Sequence, residues 1–302
     1  MPKLTIIIPY YKIAFFKETL RSLERQTCKN FKLFIGNDAS PENPENLIKD
    51  MLKTTAFNYK EYTENFGSQN LVRQWERCIH DSEISEWFQI LGDDDVISEN
   101  FVEEFYKNLS EINQNKCNVV KFSQCWIDHI DEQLNYRTTF PKLFSRLENW
   151  KKKFITGERA SLSEHIFRTS EFNKYGFQKF PLAWGSDDAA VFDVAGKNPL
   201  FFIEKANIYI RISHISISGR SDNEFDKKKG HHYFEEYMIS HHFRELPKDR
   251  LRHMINHQIV FSYKNNLSLS IPLLKLYLWT GDYDKVLKLP KTYYYLWVKN
   301  NG

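Results

Sequence analysis

Three consecutive carboxylates, Asp93, Asp94 and Asp95, follow directly on an apolar run, Trp87-Phe88-Gln89-Ile90-Leu91, with Gly92 at the turn. Like charges set side by side repel, and chains usually separate them unless a cation sits between them. A hard divalent ion such as Mg²⁺ or Mn²⁺, itself carrying a diphosphate, meets that need. A solvated acidic turn is the plainer alternative. After the triplet, Val96, Ile97 and Phe101 resume an apolar pattern, with Ser98 placed to cap a helix. A second acidic pair, Asp187-Asp188, stands in Phe180–Asp193, which reads as a loop running into an apolar helix.

These groups need a scaffold, and the pattern around them supplies one. Lys3–Pro9 is a near-continuous β-branched run, as in a strand buried on both faces. Phe15–Gln26 follows as an amphipathic helix through Phe16, Leu20 and Leu23. Strands at 31–35 and near 59–63, helices at about 46–52 and 70–80, and the strand 87–91 continue the alternation. A helix at about 99–113 and a strand at 118–123 come next. This order predicts an α/β fold with a doubly wound, mostly parallel sheet. Ligands bind such sheets at the carboxyl ends of the strands. Pro9-Tyr10-Tyr11, Asp38, Asn65 and Asp93–Asp95 all fall there. The stretch 126–154 is basic and aromatic with little periodicity. Residues 156–168 fit a helix or a strand, and 199–210 read as a strand leading into the alternating segment Arg211–Ser218. From His231 on the pattern becomes helical, with one helix through Tyr233, Tyr237 and His241 and two more at 251–264 and 267–279.

Composition narrows the function classes. The 302 residues carry 42 Lys+Arg against 39 Asp+Glu, a formal net charge of +3, which gives no support for a nucleic-acid binder. Cys28, Cys78, Cys117 and Cys125 are scattered with no CxxC pair, as expected of reduced thiols in a cytoplasmic protein without a zinc site. The apolar run Leu4–Ile8 is too short for a secretory signal, and no stretch approaches the roughly 20 apolar residues of a membrane span.

In order along the chain, Ile6-Ile7-Ile8-Pro9-Tyr10-Tyr11-Lys12, Asn37-Asp38-Ala39-Ser40, Asn65-Phe66-Gly67, Leu91-Gly92-Asp93-Asp94-Asp95, Trp184-Gly185-Ser186-Asp187-Asp188 and Arg211–Ser218 resemble the six motifs of family 2 glycosyltransferases. The likeness spans about residues 3 to 220. It implies a GT-A fold, that is, a Rossmann-like, mostly parallel central sheet flanked by helices. A glycosyltransferase domain would cover 1–222, with 1–125 as the nucleotide-sugar half and 126–222 as the acceptor half. An all-helical extension would cover 223–302. Lys12 replaces the family's Asn, Gly92 the first Asp of its metal motif and Ser186 the Glu of its G-E-D motif. The family's His falls on Ser213, with His214 next to it.

By the same resemblance Asp94 is the expected metal ligand, with Asp95 assisting and His214 as a further candidate. Asp93 would bond ribose hydroxyls, and Asp38 would accept from the base's imide N–H. Pro9 and Tyr11 would wall the base, an aromatic face adding roughly 1–3 kcal/mol. Asn65 either contacts the donor or is a left-handed turn residue, and Arg73 either faces the diphosphate or is solvated. Arg211 is expected at the diphosphate or metal. Asp187 is the expected catalytic base, with Asp188 as its competitor; an N-cap is the alternative for the pair.

The implied activity is a metal-dependent (Mn²⁺ or Mg²⁺), inverting transfer. The sugar would pass from a nucleotide sugar, by preference UDP-linked, to a saccharide or lipid-linked acceptor in surface-glycan synthesis. A nucleotidyltransferase is disfavoured because Tyr10–Phe15 holds no glycine. A catalytically inactive glycan-binding protein of the same fold is the other rival. The segment Asp282–Lys299 interleaves Lys with Tyr, Leu and Trp. It fits peripheral contact with the inner face of the plasma membrane, a surface tail or a homodimer contact.

Overall fold

The computed structural model describes residues 1–214, 216 and 218–292. Strand β1 (Leu4–Tyr10) is buried along its length, and its side chains alternate between two cores. Leu4, Ile6, Ile8 and Tyr10 meet Phe16 and Leu20 of α1 (Phe16–Glu24) on one face. Ile7 meets the opposite core. A strand with apolar residues at successive positions is what such a two-faced site selects.

The sheet grows outward from β1. On one side it pairs in parallel with β2 (Phe31–Asn37), which leads to α2 (Glu45–Met51) and then pairs in parallel with β3 (Asn58–Glu61). Helix α3 (Leu71–Asp81) packs Val72, Trp75 and Cys78 on the second face, and Asn70 accepts from Val72 N at its start. On the other side β1 pairs in parallel with β4 (Trp87–Ile90). The acidic triplet leaves β4 and is followed by β5 (Val96–Ile97), then α4 (Phe101–Gln114) and β6 (Val119–Ile127).

The chain returns through β7 (Leu143–Phe144), α5 (Arg146–Phe154), β8 (His165–Arg168) and α6 (Thr169–Phe172). A short 3-10 turn at Pro181–Ala183, α7 (Ser186–Ala195) and β9 (Leu200–Arg211) follow. The sheet order is β3-β2-β1-β4-β8-β6-β9-β5, with β7 on β9. The parallel pattern holds through β3, β2, β1 and β4 and again for β6 with β9. Strand β8 is inserted antiparallel between β4 and β6, and β5 runs antiparallel on β9. Because β5 is pinned to β9, the acidic loop is anchored at both of its ends.

Several elements depart from the sequence expectations. Ser98 does not cap α4; Asn100 stands at the cap, and its side chain makes no bond to the helix N-terminus. Ser98 instead accepts from Asn207 N through Oγ, and its own N–H donates to Asn207 O, stitching the loop to β9. The aperiodic stretch 126–154 contains α5, started by a capping box in which Ser145 and Glu148 bond each other's backbone N–H. Strand β9 ends at Arg211 rather than running on into the alternating segment, and Ser216 N donates to Ser213 O in a turn.

The chain forms two compact units, Met1–Asn223 and Glu224–Gly302. The second holds α8 (Glu224–His242), α9 (Lys248–Asn265), α10 (Leu273–Thr280) and α11 (Tyr283–Leu287). Pro272 stands at the start of α10, so the helix expected over 267–279 begins only at Leu273, and the end of the Asp282–Lys299 segment lies outside the described residues.

Among the left-handed non-glycine residues, Ala39 stands beside the strand-end crevice. Beyond β2 the chain turns through Ala39 at φ 52°, a left-handed conformation that disfavours any residue with a Cβ. Ala39→Gly should therefore raise the unfolding free energy in urea by up to about 1 kcal/mol, the relief less the added freedom of the unfolded chain. A fall in stability would contradict that reading.

Candidate active site

The strand ends predicted to line one crevice do meet. At the end of β1 the main chain of Tyr11 and Lys12 donates to Asp93 Oδ2 at 2.7 and 2.8 Å. Tyr11 O also accepts from Ser40 Oγ at 2.7 Å, while the residue remains 39% exposed. Pro9, just before, is half-buried.

Asp38 is buried at the end of β2 and clamps the turn that carries Asn65. Its two oxygens accept from Phe66 N at 2.8 Å and Gly67 N at 2.7 Å. A side chain at position 67 would stand 2.6 Å from Asp38 Oδ2, so only glycine permits this approach. Burial raises the Asp38 carboxyl above its ordinary value against these hydrogen bonds and the Arg77 guanidinium. Asn65 avoids the left-handed conformation; its Oδ1 accepts from Ser68 N at 2.8 Å. Arg73 is exposed and lies 4.0 Å over the Phe66 ring.

Arg77, one helical turn beyond Arg73, was not anticipated. It ion-pairs with Asp38, donates to Glu64 O, and stacks 3.7 Å from Tyr62 and 4.2 Å from Phe66. The i, i+4 spacing of Arg73 and Arg77 on α3 was the available signal.

The three aspartates of the acidic loop face different surroundings. Asp95 turns inward: Oδ2 accepts from Ser163 Oγ, and Oδ1 accepts from Arg211 N at 3.0 Å. Burial pushes it up to about 6. Ser163, which nothing in the sequence singled out, also accepts from Gly92 N at 3.0 Å. Asp93 holds β1 as described. Asp94 is half-buried, and its carboxylate makes no hydrogen bond or ion pair among the described residues. Burial and the flanking Asp95 and Asp93 push its carboxyl well above the ordinary value.

Arg211, expected at the diphosphate or metal, closes behind this loop instead. Nε donates to Asp94 O at 3.1 Å, Nη1 donates to Asp128 O at 2.6 Å, and Nη2 pairs with Asp131. Its guanidinium covers the Phe15 ring at 4.4 Å. His214 lies past the end of β9 and is exposed. The structure therefore does not assemble Asp94, Asp95 and His214 as a ready-made cluster, and no such group of three metal-ligating side chains stands among the described residues. The donor set still fits a hard cation. Such ions are commonly held by one or two carboxylates, with phosphate oxygens completing the shell. Asp94 is the carboxylate available for that.

The second acidic pair sits in the first turn of α7, where the helix N-terminus favours negative charge. Neither aspartate is the cap. That position is Gly185, at φ 89°. Asp188 is chelated by Lys153 Nζ at 2.7 and 2.6 Å. Asp187 makes no ion pair or side-chain hydrogen bond among the described residues. Burial and Asp188 push its carboxyl up to about 6, with Lys153 opposing. Lys153 was hidden in the run Lys151-Lys152-Lys153, where only the structure tells which lysine points inward. Below it, Lys121 Nζ meets Glu164 Oε1 at 2.6 Å, a fully buried pair that interacts electrostatically with Lys153.

The model of the family described as "Glycosyl transferase family 2" matches residues 5–170. A crystal structure of S. aureus TarS 1-349 superposes with a TM-score of 0.60 at 15% identity, covering 99% of this chain and 88% of that one. The same fragment in complex with UDP-GlcNAc gives 0.63 at 15% identity, and with UDP 0.58 at 14%, each over 99% and 88% of the two chains. At this identity the likeness is one of fold. No curated protein matches.

The Asp38–Arg77 pair yields a direct test. Arg77→Leu leaves a buried carboxylate without its cation and should cost about 3–5 kcal/mol in chemical denaturation, and adding Asp38→Asn should recover part of the loss. A cost below about 1 kcal/mol, as for an exposed pair, would show that the clamp does not hold the turn.

Proposed function

The chain belongs to glycosyl transferase family 2 and is a glycosyltransferase with a GT-A fold, and from that premise we propose that it is a metal-dependent, inverting enzyme using a UDP-sugar. The acceptor is a saccharide hydroxyl on a growing or lipid-linked surface glycan, at the cytoplasmic face of the membrane. The observation that carries this reading is the pair of uncommitted carboxylates, Asp94 and Asp187, each beside neighbours that are held. The likeness to a TarS fragment crystallised with UDP-GlcNAc and with UDP supports the choice of donor. Residues 1–125 would bind the nucleotide sugar and 126–222 the acceptor.

The base packs on Tyr11, between Pro9 and the turn that Asp38 holds. Asp38 itself accepts the imide N–H through a remaining lone pair, and Asn65 and Arg73 border the same crevice. Asp93, whose Oδ1 is not used by the β1 backbone, faces the ribose. A divalent cation supplies charge neutralisation for the departing diphosphate when bound. Asp94 would hold it, while Asp95 fixes the loop from behind and Arg211 sets the loop's position. His214, exposed past the end of β9, would be a further candidate for the metal.

The transfer is a single displacement. The acceptor oxygen attacks the anomeric carbon, Asp187 takes its proton, and the bond to the diphosphate oxygen breaks with its electron pair leaving on the diphosphate. Asp188, neutralised by Lys153, keeps the site from carrying two adjacent unpaired charges.

Asp187 must be ionised to act, and its value near 6 places the acid limb of the rate profile there. Activity should fall as the pH drops below about 6. Asp187→Asn should lower kcat by at least about 100-fold with donor affinity nearly unchanged. Equal losses in both would remove Asp187 from the base role. Lys153→Met removes the cation that opposes the upward shift, so the limb should move to higher pH; an unmoved limb would contradict the assignment.

A further inference from the structure

Helix α10, Leu273–Thr280, is apolar on both of its faces. Leu273, Leu276, Tyr277 and Thr280 turn into the helical unit and are buried. The opposite face carries Leu274 and Leu278, which are 52% and 49% exposed, with Trp279 at 40%. Surface helices ordinarily place charged residues there, and a run of exposed apolar side chains marks a contact surface.

The surface is a groove of about 670 Å³ that contains no acidic lining residue. Its floor is the Phe243 ring, set edge-on to Trp279 at 5.7 Å. Cations gather on these two rings. Lys275 and Arg244 lie 5.0 and 5.5 Å from Phe243, and Lys248 lies 5.9 Å from Trp279. None of the three pairs with a carboxylate among the described residues. Leucines and a tryptophan ringed by uncompensated basic side chains have the chemistry of a membrane–water interface. There the apolar groups enter the acyl boundary and the basic groups meet anionic headgroups.

We propose that the outward face of α10, with Arg244, Lys248 and Lys275 around it, is a docking surface for an anionic phospholipid bilayer. The charge selects this occupant over a second copy of the chain. A two-fold contact would press the patch against itself and bring its unpaired cations together. The surface lies within the helical unit and needs neither donor nor acceptor, so it stands or falls apart from the glycosyl-transfer reading.

The test is sedimentation of the full chain with vesicles of phosphatidylcholine alone and of phosphatidylcholine with phosphatidylglycerol. Binding is expected to the anionic vesicles, weakly or not at all to the neutral ones, and to decline with added salt. Lys275→Glu should weaken it by at least about fivefold, and Leu274→Glu with Leu278→Glu should abolish it. Because all three positions are exposed, circular dichroism melting should confirm that the variants remain folded. Failure of the unaltered protein to bind anionic vesicles would overturn the proposal. So would binding that the substitutions leave unchanged, or a dimer in light scattering that the leucine variant dissociates without any vesicle binding.

Discussion

The structure turns on one electrostatic constraint: three carboxylates must be held together at the end of a buried strand. The fold meets it by giving two of them partners. Asp93 is bound by the backbone of β1, and Asp95 by Ser163 and the backbone of β9. Those bonds require β1, β4, β8 and β9 to converge on one loop, which is what the antiparallel insertion of β8 and the pinning of β5 achieve. Arg211 closes the arrangement from behind by bonding the backbone at Asp94 rather than its side chain. The result is one carboxylate, Asp94, fixed in place with no hydrogen bond or ion pair among the described residues.

The same logic recurs at α7. Asp188 is neutralised by Lys153, and its neighbour Asp187 makes no ion pair or side-chain hydrogen bond among the described residues and is made more basic by burial. At β2 the logic is reversed, for both oxygens of Asp38 accept from a turn and one of them also pairs with Arg77. Asp38 therefore acts first as a structural clamp that shapes the pocket, and any contact with a base is added to that. Three of these carboxylates, Asp38, Asp93 and Asp95, hold backbone N–H groups of neighbouring segments and so tie the polar loops together.

Much of this was legible in the chain. The strand–helix alternation through Leu91 reflects burial on two faces, a constraint that leaves β-branched runs and helical spacing in the sequence itself. The acidic triplet and the pair at 187–188 announced themselves by repulsion. What the sequence left out were the partners: Ser163, Arg77 and Lys153 are single residues of common type, far along the chain from the carboxylates they hold. The segment after Arg211 misled because alternation of apolar and polar residues suits a strand and also a turn whose serines bond one another. Helix α5 escaped notice because only Trp150 is buried on it, so it carries little apolar periodicity.

The central claim is that Asp94 is the carboxylate prepared for a cation that arrives with a nucleoside diphosphate. Calorimetry of UDP binding with Mn²⁺ and with chelator tests it most directly, comparing the native chain with Asp94→Asn. The account predicts binding that is strong only with the metal in the native chain, and weak and indifferent to metal in the variant. Equal affinity with and without Mn²⁺ in the native chain would contradict it.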